Sequence, residues 1–480
     1  MPHDRSTSAG PVARTTSSTL PGHPRSTPYR PRAARPGPGP ARCIRRFGRY
    51  WPGWPDERVG SREDSDQSRS GIGDRGDVIP LEEARVRIAR DIQVLPTVEV
   101  PLAEARRLVL AETVTATEAV PPFANTAMDG YAVRAEDTVG AAADRPSSLA
   151  VTGTIPAGGV ASRPLGPGEA MRIMTGAPLP EGADAIIEVE LTRPAGFDVT
   201  ILAEVPPGNH VRRAGDDVAA GTEIFHPGAV LTPGHLGVLA SLGHQTVTVY
   251  RRAVVAVMST GDELVEGSAP LRPGQIRDSN RIMLLSLVAE AGCTPLDLGL
   301  VPDDDAAIRA ALDRGVKQAD AVITTGGVSM GDFDLVKAIL SELGDFNWMQ
   351  VAIRPAKPLA FGVMSDTPVF GLPGNPVSSG VSFELFARPA LRRMMGRLDA
   401  DRPVIRAVCD EPFGRRPDGK AHFMRVRLSL QADGVWHARS AGGQGSHQLR
   451  AMAVADGLAI VPDGDGVETG QSVSVIQFTG

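Results

Sequence analysis

The sequence is poor in cysteine and in long apolar runs, and each absence excludes a class of protein. Its 480 residues include three cysteines, Cys43, Cys293 and Cys409, whose spacing pairs none of them. This excludes a disulfide framework or a cysteine-rich zinc site and favours a reducing compartment, which we take to be the cytoplasm. No apolar run reaches the ~20 residues that a membrane helix needs. The nearest approach, residues 225–250, contains three histidines and two prolines.

A surplus of positive charge is also lacking outside the N-terminus. The formal net charge is −6, and residues 1–77 hold 14 arginines and 8 acidic residues, which leaves −12 for the other 403. An acidic body argues against nucleic acid or an anionic membrane as the main partner, because a basic face is what counters phosphate. Residues 1–55 include 11 prolines and one acidic residue. We interpret residues 1–77 as a disordered leader, a transit peptide or the product of a mis-set translation start.

The rest of the chain changes pattern several times, which predicts a multidomain protein of α/β and β class. Apolar residues at helical spacing predict helices over residues 81–95 and 102–110, and Thr232 with Pro233 begins a third that runs to Leu242. Short β-type runs with glycine and proline between them fill residues 116–205. We predict a linking domain, a β-rich domain, an α/β domain and a small C-terminal β domain, at residues 78–115 with 206–250 (78–91 packing on the α/β domain), 116–205, 251–398 and 399–480.

Strand and helix alternate between residues 251 and 398. The apolar runs are typical of buried parallel strands, and helical patterns lie between and after them. The runs are at residues 254–258, 296–301, 321–325 and 369–372. This alternation predicts an α/β domain with a parallel sheet, in which ligands bind beyond the carboxyl ends of the strands.

Three loops at these strand ends share one chemistry. They read STGDEL at residues 259–264, GGVSMGDFD at 326–334 and PGNPVSS at 373–379. Glycines let the backbone approach a phosphate, and the following helix starts favour an anion. Asp262, Asp332 and Asp334 are candidates to hold Mg²⁺ beside that anion, or else simply cap their helices. None of the loops is a Walker A or G-x-G-x-x-G motif, which disfavours an ordinary ATPase or dehydrogenase.

A fourth element, IRPAKP at residues 353–358, places two cations on a proline-stiffened turn. The chain has only four lysines, so Lys357 at this position is unusual. Arg354 and Lys357 on such a turn suit an oxyanion, with a solvated charged loop as the alternative.

Together these segments resemble the MoeA family of molybdopterin molybdenumtransferases, which is similar to the E domain of gephyrin. The similarity runs from about Pro80 to the C-terminus. Besides the strand-end loops and the cationic turn, it rests on PPFANTAMDGYA, RIMTGA, GADA, RRAGDDV, DSNR and QGSH, at residues 121–132, 172–177, 182–185, 212–218, 278–281 and 444–447.

The resemblance implies an α/β domain like that of molybdopterin adenylyltransferases, a β-rich domain, a helical linking domain and a C-terminal β-barrel. It implies a homodimer whose site lies between the α/β domain of one subunit and the β-rich domain of the other. The implied reaction inserts molybdenum from molybdate into adenylylated molybdopterin and releases AMP, with Mg²⁺. The alternatives are adenylyl transfer to molybdopterin and a non-catalytic molybdopterin-binding or scaffolding role. A molybdopterin adenylyltransferase is a candidate partner.

The resemblance also implies residue roles. Asp129 would be the catalytic carboxylate, with Thr175 and Asp216 in support. The expected substrate contacts are Gly326, Gly327, Ser329 and Ser378 in the glycine loops, Pro373 and Pro376 in the turn, and Arg354, Lys357, Arg425 and Ser446 around molybdate. Taken alone, Asp129 suits a turn and Arg425 a solvated strand. The chain departs from the family pattern with Asp216 for Glu, Arg354 for Lys and Ala356 for Gly.

Overall fold

The computed structural model describes residues 78–327 and 335–478. The expectations for residues 1–77, and for Ser329, Asp332 and Asp334, lie outside the described residues. No helix within the described ranges is long and apolar enough to cross a membrane.

The N-terminal segment supplies one strand to the largest sheet and three to smaller ones. Its elements are β1 (Val78–Ile79), α1 (Leu81–Arg90), β2 (Thr97–Pro101), β3 (Val109–Leu110) and β4 (Val114–Thr115). The predicted helix over residues 102–110 is wrong. Only Leu102–Glu104 form a 3₁₀ turn, because Val109 and Leu110 pair with a strand near residue 250 instead. Helix α1 also ends five residues before the predicted position, and the N–H of Leu95 donates to the carbonyl of Met394.

A six-stranded sheet follows. Its region contains β5 (Asn125–Thr126), β6 (Gly130–Val133), β7 (Ser147–Ile155), β8 (Glu169–Ile173), β9 (Ala185–Glu188), β10 (Thr192–Ala195) and β11 (Asp198–Ile201). The strand order is β10-β11-β7-β8-β6-β9. Because side chains alternate along a strand, Tyr131 and Val133 of β6 pack into one apolar cluster while Ala132 packs into another.

The next segment returns to pair with the first two. It contains β12 (Val211–Arg212), β13 (Glu223–Phe225), α2 (Pro233–Ser241) and β14 (Thr246–Tyr250). Strand β12 pairs with β5, β13 with β4, and β14 with both β2 and β3. Helix α2 begins as the sequence indicates, with Thr232 as the N-cap and Pro233 in the first turn.

A seven-stranded sheet with flanking helices follows. Its elements are β15 (Val254–Thr260), β16 (Leu264–Val265), β17 (Ile276–Arg277), α3 (Asn280–Glu290), β18 (Thr294–Val301), α4 (Asp305–Gln318), β19 (Ala321–Thr325), α5 (Leu335–Leu343), β20 (Asp345–Val351), β21 (Ile353–Arg354), β22 (Pro358–Met364), β23 (Thr367–Leu372), α6 (Pro376–Ser382), a π-helical turn (Phe383–Ala387) and α7 (Arg388–Met394). The order is β1-β20-β22-β23-β19-β15-β18.

This sheet is mixed rather than purely parallel. Strand β22 runs antiparallel to β20 and β23, and it joins β23 through Ser365 and Asp366. Both turn residues have positive φ, 47° and 65°, which matches the two-residue hairpin turn that the strand twist favours.

The C-terminal region closes into a five-stranded barrel. Its elements are β24 (Val404–Cys409), β25 (Phe413–Gly414), β26 (Ala421–Leu430), β27 (Trp436–Ser440), α8 (Leu449–Ala453), β28 (Gly457–Val461), β29 (Gly466–Val467) and β30 (Ser472–Gln477). The circuit is β26-β27-β24-β30-β28, and β26 closes it by pairing with β28. Strand β21 pairs in parallel with β26, which places Arg354 opposite His422.

Candidate functional site

The loops at the carboxyl ends of β15, β19 and β23 meet over the sheet. Gly326 has φ +96°, and a Cβ there would lie 2.6 Å from the carbonyl oxygen of Thr260. Its N–H donates to the carbonyl of Leu372, with an N···O distance of 3.2 Å. A Cβ at Gly374 would lie 3.7 Å from the Cα of Gly326. Only glycine allows the backbone at residue 326 to pass this close to its neighbours, and Gly327 follows it with φ +65°.

Asn280 ties two of these loops together. Its Nδ2 donates to Thr325 Oγ1 at 2.9 Å and to the carbonyl of Gly374 at 2.7 Å. Thr325 Oγ1 in turn donates to the carbonyl of Pro373 at 3.2 Å. The sequence showed Asn280 only as part of the DSNR segment and gave it no role. Its position at the first turn of the helix before β18 was the one available indication.

Two carboxylates face each other at the ends of β15 and β18. The N–H of Asp303 donates to Asp262 Oδ1 at 3.1 Å, and the N–H of Asp262 lies 3.4 Å from Asp303 Oδ2. Burial raises the pKa of Asp303; the hydrogen bond from the Asp262 backbone opposes this effect, and the charges of Asp262 and Glu263 add to it. Paired carboxylates that repel each other suit a divalent cation, and Mg²⁺ prefers such oxygens together with phosphate and water.

The carboxylates of Asp262 and Asp303 are the kind of donor that Mg²⁺ prefers, but they supply only two side chains. Among the described residues, no group of three or more His, Cys, Asp or Glu side chains could hold a metal ion. Asp262 is the one predicted metal ligand that can be placed. Asp303 was missed, although the acidic run VPDDD at residues 301–305 follows a strand end.

The cationic turn forms a cavity with the barrel. Arg354, Lys357, Ser378 and Ser446 all line a cavity of about 280 Å³, together with Lys420 and Gln444. The N–H of Val377 donates to the carbonyl of Ser446 at 3.0 Å, which joins the loop after β23 to the barrel. Four residues that the sequence assigned to substrate therefore surround one space, next to Pro376 at the start of α6.

Arg425 is buried in β26, only 1% exposed, so the solvated strand position is wrong. Its guanidinium donates to the carbonyls of Gly443 and Gly445, at 2.9 and 3.1 Å. Burial lowers the pKa of Arg425 to about 10. Gln444, which sequence reasoning missed, forms two hydrogen bonds with the backbone of Arg425 in the same strand. Its Oε1 accepts from the N–H of Arg425 and its Nε2 donates to the carbonyl, both at 2.9 Å. Arg425 thus shapes the loop that carries Ser446.

A second, larger cavity adjoins the first. Its volume is about 510 Å³, and it shares Arg354, Pro355, Gln444 and Gly445 with the smaller one. Arg425 contributes to its wall.

Asp129 and Thr175 form a separate pair on the six-stranded sheet. The N–H and Oγ1 of Thr175 both donate to Asp129 Oδ1, at 2.7 and 2.6 Å. These two hydrogen bonds, together with the nearby charge of Arg172, lower the pKa of Asp129 against a small effect of burial. The carboxylate is exposed, so a charged group is presented to solvent in a fixed orientation. Glu188, which was not predicted, lies opposite Gly130 on the next strand.

The carboxylate of Asp216 accepts a hydrogen bond within its own turn. Its Oδ2 accepts from the N–H of Arg213 at 2.6 Å. The N–H of Gly215 donates to the carbonyl of Pro121 at 2.9 Å, so the RRAGDDV segment packs against the PPFANTAMDGYA segment. Neither Asp129, Thr175 nor Asp216 is among the described residues that line the two cavities.

Three family profiles match nearly all of the described chain. They are described as the MoeA N-terminal region (domain I and II), a probable molybdopterin binding domain and the MoeA C-terminal region (domain IV), and they match residues 79–243, 256–393 and 407–478.

Similar proteins carry a consistent name. "Molybdopterin molybdenumtransferase 2" of Mycobacterium tuberculosis (strain ATCC 25618 / H37Rv) is 44% identical over 389 residues, covering 80% of this chain and 95% of that protein. "Molybdopterin molybdenumtransferase" of Haemophilus influenzae is 36% identical over 84% of this chain and 99% of that protein. The solved structure of a molybdopterin biosynthesis MoeA protein from Pyrococcus horikoshii superimposes with a TM-score of 0.71 at 32% identity, over 84% of this chain and all of that chain. The predicted fold class is confirmed.

Proposed function

Because the chain belongs to the MoeA family and acts in molybdenum cofactor biosynthesis, we propose that it inserts molybdenum from molybdate into adenylylated molybdopterin, releasing AMP. One observation carries this proposal. The loop after β23 contributes to both the glycine loops and the cationic cavity, since the carbonyl of Pro373 accepts from Thr325 at the end of β19 while Ser378, the third residue of α6, lines the cavity. A phosphate-bearing ligand and an oxyanion would therefore bind side by side.

Lys357 and Arg354 bind the molybdate dianion in this proposal. Both side chains are exposed at the turn, and Ser378 and Ser446 supply hydroxyl groups from two other elements. Ammonium and guanidinium groups form the stronger, charge-assisted hydrogen bonds to oxyanions, and hydroxyls add orientation. Arg425 positions the Ser446 loop through its carbonyl contacts.

The adenylylated pterin binds at the glycine loops. Gly326 and Gly327 bring the backbone close to the pyrophosphate, and Asn280 keeps the loops after β19 and β23 in register. Asp262 and Asp303 would hold Mg²⁺, which, when bound, neutralises charge on the phosphates.

Asp129 serves as the catalytic carboxylate and comes from the partner subunit of a homodimer. Its low pKa keeps it ionised, and its Thr175 contacts fix the direction of Oδ1. A positioned carboxylate orients a water or a metal ligand for cleavage of the pyrophosphate. Asp129 is exposed and Thr175 orients its Oδ1, so the carboxylate is available to a second subunit.

Adenylyl transfer to molybdopterin is the less favoured reaction. It gives no role to the barrel cavity or to the Asp129–Thr175 pair. An enzyme of that class would supply the substrate, and we therefore propose it as a partner.

The test is AMP release from adenylylated molybdopterin in the presence of molybdate and Mg²⁺. We expect release to depend on molybdate, and Lys357→Ala to reduce it about 100-fold, the order seen when one stabilising donor is removed from a site. Lys317→Ala is the matched control, because Lys317 is an exposed lysine that pairs with Asp313 on α4. Wild-type release without molybdate dependence, or equal loss in both variants, would contradict the proposal.

A further inference from the structure

The two adjoining cavities contain one carboxylate among their described lining residues. The smaller is lined by Arg354, Lys357 and Lys420 and by no acidic side chain. The larger is lined by five cationic or ionisable basic side chains and by Asp418; the basic residues are Arg354, Arg415, Arg416, His422 and Arg425. A carboxylate in a cavity built for an oxyanion is unexpected, since it repels the ligand.

Asp418 contacts basic side chains from both cavities. Its Oδ1 accepts from Arg415 Nη2 at 2.6 Å, and its Oδ2 lies 3.4 Å from Lys420 Nζ. Both carboxylate oxygens are 3.3 Å from His422 Nε2, and Oδ2 is 4.0 Å from Arg354 Nη1. Although burial opposes it, the hydrogen bonds from His422 and Lys420 lower the pKa of Asp418, so the group is an anion at neutral pH.

The backbone fixes the carboxylate in this place. The N–H groups of Asp418 and Gly419 both donate to the Asp463 carboxylate, at 3.1 and 3.2 Å. Pairing of β21 with β26 holds Arg354 opposite His422. The arrangement therefore comes from the loop and the strands and not from the charges alone.

Three of the basic partners, Arg415, Arg354 and Lys420, differ in how available they are to a ligand. Arg415 is held independently by the carbonyls of Lys420 and Pro462, at 2.6 and 3.0 Å, and by Asp463 at 2.6 Å. The Arg354 side chain is 69% exposed and its 4.0 Å contact with Asp418 is loose. Lys420 is also bound to Asp418 by a long contact. Arg354 and Lys420 are the cations that an incoming anion would recruit.

We propose that Asp418 is an internal counter-anion, which an incoming oxyanion displaces from Arg354 and Lys420, and which thereby weakens oxyanion binding to the cleft. The inference rests on the proposed function, because it takes molybdate as the ligand of Arg354 and Lys357. After displacement Asp418 still accepts a hydrogen bond from Arg415, so its carboxylate keeps a cationic partner. The ligand must overcome both the existing charge pairs and repulsion from a nearby anion.

The test compares Asp418→Asn with Asp463→Asn. Each variant removes one negative charge that contacts Arg415 at 2.6 Å, but of these two residues Asp418 alone is among the described residues that line the two adjoining cavities. We expect Asp418→Asn to tighten molybdate binding about fivefold in equilibrium dialysis, as removal of one partly exposed charge pair allows. The KM for molybdate in AMP release falls by a similar factor, while kcat changes less. Asparagine at position 463 keeps an Oδ1 that accepts from the Asp418 N–H and from Arg415, so Asp463→Asn leaves both constants within about twofold.

Each outcome bears on the proposal. Weaker or unchanged binding in Asp418→Asn, or the same gain in Asp463→Asn, overturns it while the proposed reaction stands. Wild-type protein that binds no molybdate overturns both.

Thermal melting confirms that each variant folds. If Asp418→Asn does not fold, Asp418→Ser replaces it, and we expect the same gain in molybdate binding from that variant. In an Arg354→Gln background the gain from Asp418→Asn shrinks, whereas an effect on folding alone would persist.

Discussion

At the residue scale, Asp129 is oriented by one neighbour. Thr175 donates two hydrogen bonds to the same carboxylate oxygen, one from its backbone and one from its side chain. Both bonds favour the charged form and hold the pKa below its ordinary value. An exposed aspartate would ionise at pH 7 without this help, so the main value of the pair lies in the direction it gives the carboxylate.

We predict that Thr175→Val raises the pKa of Asp129 and lowers turnover. The side-chain hydrogen bond is lost and the backbone bond remains, so the pKa moves toward the ordinary value without passing it. A carboxyl whose pKa is depressed on folding contributes stability above its unfolded pKa, and this contribution disappears as pH falls through the folded pKa. The part of the stability difference that comes from the ionisation of Asp129 should therefore vanish in acid. NMR titration of the Asp129 carboxyl measures the shift, and an unchanged pKa would contradict the argument.

The control for that variant is Thr200→Val. Thr200 lies on β11, which is three strands from β6 in the same sheet. Thr200→Val removes a hydroxyl group in the same domain, as Thr175→Val does. We expect the pKa of Asp129 to keep its wild-type value in this variant.

Single residues also show where sequence reasoning stops. The resemblance placed Arg425 near molybdate. Its burial in the closed barrel, and its hydrogen bond to the carbonyl of Gly445 before Ser446, are visible only in the structure. Asp303 meets its partner Asp262 only through the fold. Asp418 has Arg415, Lys420 and His422 close to it in sequence, but its contact with Arg354 comes from a distant element. Asp262 meets Asp303 across 41 residues, and Arg354 meets Asp418 across 64. Such pairs depend on topology, which one sequence does not specify.

At the element scale, the buried strands were predictable and the hairpin was not. Residues 254–258 and 321–325 are continuous apolar runs between helical patterns, and they form β15 and β19. Strand β22 was missed because its turn, Ser365 with Asp366, lacks the glycine or asparagine that usually marks a two-residue hairpin. The helix predicted over residues 102–110 failed because tertiary pairing with β14 outweighed the local pattern.

The loop after β19 provides a test of close approach. In Gly326→Ala the new Cβ would meet the Thr260 carbonyl at 2.6 Å, and φ is +96°. We expect a destabilisation of about 2–4 kcal/mol, the sum of left-handed strain and overpacking against backbone. Substrate binding at the glycine loops should weaken as well, because the backbone must move. Chemical denaturation monitored by tryptophan fluorescence measures the first effect.

Gly158→Ala separates the two causes. Gly158 has φ +79°, but nothing lies within 4 Å of a Cβ there. This variant carries only the strain of a left-handed alanine, about 1–2 kcal/mol. An equal loss in both variants would show that the contact with Thr260 does not determine the effect.

At the scale of the whole molecule, the distribution of charge matters more than its sum. The body carries a net −12, yet Arg354, Lys357 and Lys420 surround one cavity. Arg354 ends β21, Lys357 lies in the turn that follows it and Lys420 lies in a loop of the barrel, and the pairing of β21 with β26 brings them together. Net charge argues against nucleic acid as the main partner, but the oxyanion site depends on strand pairing across the chain.

The proposed homodimer allows a test with two inactive subunits. We predict that a heterodimer of Lys357→Ala and Asp129→Asn subunits recovers about half the wild-type rate, because one of its two composite sites combines an intact oxyanion cavity with an intact carboxylate. Co-expression with two different tags and tandem purification isolates this species. AMP release per dimer is the measurement.

The matched control combines Lys357→Ala with Arg354→Gln. Both substitutions fall on the same turn, so every site of that heterodimer lacks one cation of the cavity whichever subunit supplies Asp129. It should remain inactive. If the site lay within one subunit, the Lys357→Ala and Asp129→Asn pair would behave like this control, since neither chain would carry a complete set of residues. Recovery in the first pair alone therefore requires that Asp129 and Lys357 act together across the dimer.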